Sequence, residues 1–96
     1  MRVLLVEDHP QLAESVAQAL RASGLTVDVL HDGVAADLAL SSEEYAAAIL
    51  DVGLPDTDGR ELCRRMRKAG VKCPVMMLTG HDTDSDTILG LDSGAN

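Results

Sequence analysis

Ala46-Ala47-Ala48-Ile49-Leu50-Asp51-Val52-Gly53-Leu54-Pro55-Asp56-Thr57-Asp58-Gly59 is the stretch that decides the fold. Its first five residues are continuously apolar, the pattern of a strand covered on both faces. A carboxylate, Asp51, ends the run, and a Leu54-Pro55 turn follows before Asp58. Two other apolar runs end in the same way. Val3-Leu4-Leu5-Val6 stops at Glu7-Asp8, and Val75-Met76-Met77-Leu78 stops at the hydroxyl of Thr79. In a parallel sheet the ligand site lies outside the carboxyl ends of the strands. Three independent segments therefore deliver Glu7, Asp8, Asp51 and Thr79 to one edge.

Helical segments separate these runs. Residues 2–6 form the first expected strand, and Pro10 suits the first helical turn that follows. Leu12, Ala13, Val16, Ala17 and Leu20 then recur at helical spacing until Gly24. A second strand is expected over 25–30, and Gly33 opens a short helix carrying Val34, Leu38 and several alanines. The third strand covers 46–50. Asp58 caps the next helix, in which Leu62 and Met66 lie one turn apart and Glu61 is positioned to pair with Arg65 at i,i+4. Its basic last turn complements the helix dipole before Gly70. A fourth strand is expected over 74–78 and a final helix over roughly 83–93, with Asp84 and Asp86 in its first turn and Ile88, Leu89 and Leu91 on its apolar side. Four β-α units in series predict a doubly wound α/β fold with a parallel sheet.

Composition bounds what such a domain does. The chain has 96 residues, enough for one small core. It is 46% hydrophobic yet holds no Phe or Trp and a single Tyr, Tyr45, so the core is aliphatic. A net charge of −8 excludes this segment as a grip on nucleic-acid phosphates. Cys63 and Cys73 lack metal-binding spacing and read as packing residues or free thiols. No apolar run approaches the ~20 residues of a membrane span, and Met1-Arg2-Val3 does not begin a leader pattern. A cytoplasmic setting with no membrane partner is the expectation. His9, His31 and His81 also lack metal spacing and read as loop or surface residues, His81 lying near Thr79. The basic segment 60–68 reads as a solvated helix face.

Glu7, Asp8 and Asp51 brought together repel one another unless a cation is present. Hard oxygen donors favour Mg²⁺. With that charge neutralised, Asp51 becomes a carboxylate nucleophile toward phosphorus, and the Thr79 hydroxyl a donor to a phosphoryl oxygen. The plainer reading makes Asp51 a turn residue and Glu7-Asp8 the start of a helix.

Val3-Leu4-Leu5-Val6-Glu7-Asp8, Leu50-Asp51 through Gly59, and Met77-Leu78-Thr79-Gly80 together closely resemble the receiver domain of two-component response regulators. Gly90-Leu91-Asp92-Ser93-Gly94-Ala95-Asn96 resembles the stretch leading into that family's fifth strand. The wording is most similar to winged-helix transcriptional regulators of the OmpR/PhoB type. The resemblance implies strand order 2-1-3-4 and a sensor histidine kinase as phosphodonor to Asp51. It implies Mg²⁺ bound by Asp8, Asp51 and the Gly53 carbonyl, with Glu7 acting through water. Thr79 becomes the switch hydroxyl, Gly80 keeps the phosphoryl site open, and Pro55 and Gly59 shape the loop. DNA is reached only through an output domain outside these residues.

Two departures from the family follow. Gly53 stands where relatives carry a side chain flanking the phosphoryl site, which predicts freer water access and a shorter-lived acyl phosphate. The family's fifth strand, its Lys-Pro pair, its switch aromatic and its fifth helix are absent from 1–96. The chain thus reads as a receiver domain incomplete at its C-terminus. An uncovered fourth-strand edge then predicts a homodimer or domain swap. Two other functions stay open: an Mg²⁺-dependent phosphatase with an aspartyl nucleophile, and an interaction module that is never phosphorylated.

Overall fold

Alternate residues of the first strand enter different cores. Leu4 and Val6 pack with Ala48, Leu50, Val75 and Met77, whereas Val3 and Leu5 pack with Val27 and Ile49 on the opposite side. This is the two-residue period of a sheet buried on both faces. The computed structural model describes residues 1–78 and the backbone of 88–91. Its elements are β1 (Arg2–Val6), α1 (Pro10–Ala22), β2 (Thr26–Leu30), α2 (Gly33–Ser42), β3 (Ala47–Asp51), α3 (Gly59–Lys68), β4 (Val75–Leu78) and β5 (Ile88–Leu91). They form one sheet in the order β2-β1-β3-β4-β5. The first four strands are parallel, in the expected order 2-1-3-4.

Each helix covers the face its small and aliphatic residues select. α1 lays Ala13 and Ala17 against the Val3–Leu5 face, with Val16 and Leu20 at the margins. Alanine at both positions brings the helix close to the sheet. α2 and α3 cover the other face with Ala36, Leu40, Leu62, Cys63 and Met66. Pro10 begins α1, and Gly24, at φ 95°, follows its C-terminus. Asp58 caps α3 by accepting from the Arg60 N–H at 2.7 Å, as its sequence position predicts.

Two expectations need correction. Glu61 pairs with Arg64 at 2.8 Å, one residue earlier than anticipated, because Arg65 turns across to Asp37 of α2 at 3.6 Å. Val34 and Leu38 point outward at 64% and 68% exposure, since Ala36 and Leu40 take the buried stripe of α2.

The second correction concerns residues 88–91, which form a strand within the helix expected over roughly 83–93. β5 runs antiparallel to β4, pairing Met76 with Leu91 and Met77 with Gly90, and its register shifts between Met77 and Leu78. A row of unpaired backbone groups along β4 is costly, and an isolated segment containing Ile88 and Gly90 has little helix propensity to set against it. The β4 edge expected to recruit a second copy is thereby paired within the chain, and the sheet has a fifth strand. Thr79, Gly80, His81 and the start of the anticipated helix lie outside the described residues.

Candidate functional site

Val6 of β1 pairs with Leu50 of β3, so the residues that follow, Glu7 and Asp51, leave the sheet side by side. β2 lies beyond β1 and β4 beyond β3, which makes this crevice the point where strand order reverses. Glu7 and Asp51 are both fully buried, at 0% exposure. Asp8, one residue beyond the β1 core, is partly exposed. One ligand atom each from Glu7, Asp8, His9 and Asp51 lie within 4.8 Å of one another.

Backbone groups from the surrounding loops fix these carboxylates. The Gly53 N–H donates to Asp51 Oδ1 at 3.2 Å. The His9 N–H donates to Glu7 Oε2 at 3.1 Å, and His9 Nδ1 lies 3.1 Å from that same oxygen and 3.3 Å from Asp8 Oδ1. At the end of β2, His31 Nδ1 donates to the Glu7 carbonyl at 2.9 Å, while the Glu7 N–H donates to the Leu30 carbonyl at 3.0 Å. No donor among the described residues reaches Glu7 Oε1, although this atom is buried. A buried, orphaned carboxylate oxygen beside two further acids is a poor arrangement for a bare protein and a good one for a hard cation.

The loop after Asp51 is tethered at two points. The Asp56 carboxylate accepts from the Gly33 and Val34 N–H groups at 2.7 and 3.0 Å, capping α2 from across the loop. At its other end, the Gly59 N–H donates to the Val52 carbonyl at 3.0 Å. A Cβ at Gly59 would collide with the Asp51 backbone carbonyl, so only glycine lets α3 start this close to the acid.

These surroundings shift the titrations in opposite directions. Burial pushes the Glu7 carboxyl above its ordinary value; the Asp51 charge adds to this, and the two His9 hydrogen bonds oppose it. Burial also acts to raise Asp8, but contacts with the Asp51 and Glu7 carboxyls outweigh it and hold Asp8 below the usual range. The acids thus share protons unequally, with Glu7 the readier to hold one. The Glu7 contact raises His9. Backbone N–H donation, first from Gly33, lowers Asp56.

Of the residues singled out in the sequence, Glu7, Asp8 and Asp51 come together, and Gly53 meets Asp51 through its N–H. Thr79 and Gly80 fall outside the described residues. His9, expected as a loop or surface residue, is exposed between β1 and α1, and its Nδ1 also meets the acids of the cluster. The available signal was its place directly after Glu7-Asp8, where the chain turns out of β1.

The family described as response regulator receiver domain matches residues 3–96 of this chain. The transcriptional regulatory protein TctD of Salmonella typhimurium is 45% identical over 96 residues, which is 100% of this chain and 43% of TctD. The response regulator PmrA of Pseudomonas aeruginosa is 43% identical over 96 residues, again all (100%) of this chain and 43% of the relative. The chain therefore spans about two-fifths of the length of these curated relatives, 43% in each. Among solved structures, the response regulator TrrA of Thermotoga maritima, determined in complex with Mg²⁺-BeF, superposes with a TM-score of 0.79 at 28% identity. That match covers 84% of this chain and 70% of TrrA. No helix among the described residues is long and apolar enough to cross a membrane.

Proposed function

This chain belongs to the response regulator receiver domain family of phosphoacceptor signalling modules, and from that premise we propose that Asp51 is its phosphoacceptor. A response regulator implies a cognate histidine kinase. In the transfer we propose, an Asp51 carboxylate oxygen forms an O–P bond as the P–N bond of the kinase's phosphohistidine breaks. The imidazole leaves with the electron pair and takes up a proton. The observation that carries this reading is the placement of Asp51. It is fully buried at the end of β3, beside Glu7 and Asp8, with Oδ1 held by the Gly53 N–H.

Asp8, Asp51 and the Gly53 carbonyl would hold Mg²⁺, with Glu7 contributing through water. The donor set fits, because it is rich in hard oxygens and includes the orphaned Glu7 Oε1. The bound metal supplies neutralisation of charge on the acids and the phosphoryl oxygens. The Mg²⁺-BeF complex of TrrA supports the assignment by analogy. Thr79 would donate its hydroxyl to the phosphoryl group, and Gly80 would keep that side open. The regulatory output we propose is transcriptional, in line with the name of the relative TctD, a transcriptional regulatory protein, and would act on DNA through an output domain outside these residues. The setting consistent with this role is cytoplasmic.

Incubation of the chain with acetyl phosphate and Mg²⁺, followed by intact mass measurement, tests the reading. A single phosphoryl addition is expected for the wild type and none for Asp51→Asn. Equal labelling of Asp51→Asn would overturn the assignment. Steady turnover of a phosphomonoester would favour the phosphatase, and an Mg²⁺-insensitive chain that never labels would favour the interaction module.

A further inference from the structure

α2 is apolar on two sides. Gly33, Ala36 and Leu40 are buried, whereas Val34 and Leu38, one turn apart, stand outward at 64% and 68% exposure. Asp37 is the only charged side chain of the helix. A single exposed leucine is ordinary, but a helix apolar on opposite sides has an outer side suited to being covered. Val34 and Leu38 border an open groove of about 630 Å³. Arg65 of α3 lines it too, as do Asp56 and Thr57 of the loop after Asp51. α3 contrasts with α2, because it carries five cations, Arg60, Arg64, Arg65, Arg67 and Lys68, against one acid, Glu61. Asp37 and Arg65 meet at 3.6 Å with side chains 46% and 41% exposed, a pair loose enough to exchange partners.

These features select the occupant. The face carries its own complement, an apolar ridge with one acid on α2 beside a cationic ridge on α3. We propose that the α2–α3 face docks on the same face of a second copy of this chain, as an isologous pair. Charge also fixes the arrangement. Both helices cover one side of the sheet and, as crossovers between parallel strands, run in the same direction. A two-fold axis across the helices would set α3 against α3 and bring like charges together. An axis along the helices instead sets α2 of each copy against α3 of the other. Asp37 then meets Arg65 of the other copy, twice over, and Val34 and Leu38 lie against the aliphatic stems of the opposing cations. Asp56 needs no counter-charge there, since the Gly33 and Val34 N–H groups already donate to it. The face is distinct from the β4 edge, which β5 occupies, and its docking does not require Asp51 to accept a phosphoryl group. Two helices of 10 residues offer less than a standard interface, so the dissociation constant is expected on the order of tens of micromolar.

Sedimentation of the chain over about 5–500 μM, in about 0.15 M salt, tests the docking. The wild type is expected to show a monomer–dimer equilibrium. Leu38→Glu, at an exposed position, should weaken it at least ~10-fold while leaving the urea midpoint unchanged. Asp37→Arg and Arg65→Asp each place like charges across both contacts, and each alone should weaken self-association ~10-fold. An equimolar mixture of these two variants restores opposite charges at both contacts and should associate within about 3-fold of the wild type. Mixing cannot restore the Asp37–Arg65 contact within either chain, so this rescue reads only the contact between copies. A monomer throughout the range would overturn the proposal. A dimer that survives Leu38→Glu would do the same, because another face would then carry it. Variants that stay monomeric when mixed would also sink it, since α2 of one copy would not be meeting α3 of the other.

Discussion

Gly59 lies against the backbone carbonyl of Asp51, and the contact leaves no room for a side chain. The start of α3 and the end of β3 are therefore one unit, and the geometry of the acid depends on a residue that carries no functional group. Gly59→Ala is expected to destabilise the fold by about 1–3 kcal/mol, the usual cost of overpacking. It should also slow labelling of Asp51 by acetyl phosphate. Gly70→Ala provides the comparison: at φ 92° with nothing within 4 Å, it carries only a backbone penalty. Urea titrations and labelling rates of the two variants separate steric from conformational effects. Equal labelling by both would show that Gly59 does not govern Asp51.

Glu7 makes stability depend on pH. A carboxyl raised by folding binds its proton more tightly in the native state. Its contribution is thus fully present below the unfolded value of 4.5 and is lost as pH rises through the higher folded value. In EDTA, the urea midpoint of Glu7→Gln should therefore exceed that of the wild type at neutral pH, with the gap closing in acid. Added Mg²⁺ should stabilise the wild type more than the variant. An unchanged midpoint at neutral pH would mean that the Glu7 charge is already compensated.

Asp56 acts with the opposite sign. Its carboxyl is lowered by N–H donation from α2, so its contribution is present above 3.8 and lost as pH falls through the folded value. Asp56→Ala should lower the urea midpoint at pH 7 and leave it unchanged well below that range. Amide exchange should show the first turn of α2 opening, with Gly33 and Val34 most affected.

Tyr45 reports on the far end of the sheet. Burial, followed by donation to Asp28 Oδ2 at 2.8 Å, pushes its phenol up to about 12. It is the only aromatic side chain of the Phe, Trp and Tyr set, so its phenolate absorbance can be read without interference. Ultraviolet titration should place the midpoint near 12, moving back toward 10.0 in Asp28→Asn. The associated stability is present below 10.0 and lost as pH rises through about 12. A midpoint at the ordinary value would show that the Tyr45–Asp28 hydrogen bond does not persist in solution.

Gly53 tests water access to the proposed acyl phosphate. Gly53→Met should lengthen its lifetime severalfold by excluding water, whereas Gly53→Asn tests whether a polar side chain does the same. Decay of the phosphoryl label gives the rates, and identical rates for all three proteins would remove Gly53 from consideration.

Much of this architecture was legible in residue order. The apolar runs ending at Glu7 and Asp51, the Pro10 start of α1 and the Asp58 cap all rest on local rules, and the structure keeps them. Segment 88–91 was not legible, because helix periodicity in a short run is outweighed by the hydrogen bonds that the open edge of β4 offers. The reach of Arg65 to Asp37 likewise depends on how α2 and α3 pack, which no spacing within α3 reveals.

The sequence by itself determined the β-α alternation and which acids share an edge, since strand period and alternation are local properties, whereas the order 2-1-3-4 came from the family resemblance. Only the tertiary structure decided that Glu7 is wholly buried, that no donor among the described residues reaches one of its oxygens, and that His9 joins the acids. Those facts depend on where β1, β2 and β3 end relative to one another, and on what burial does to a charge that water no longer reaches.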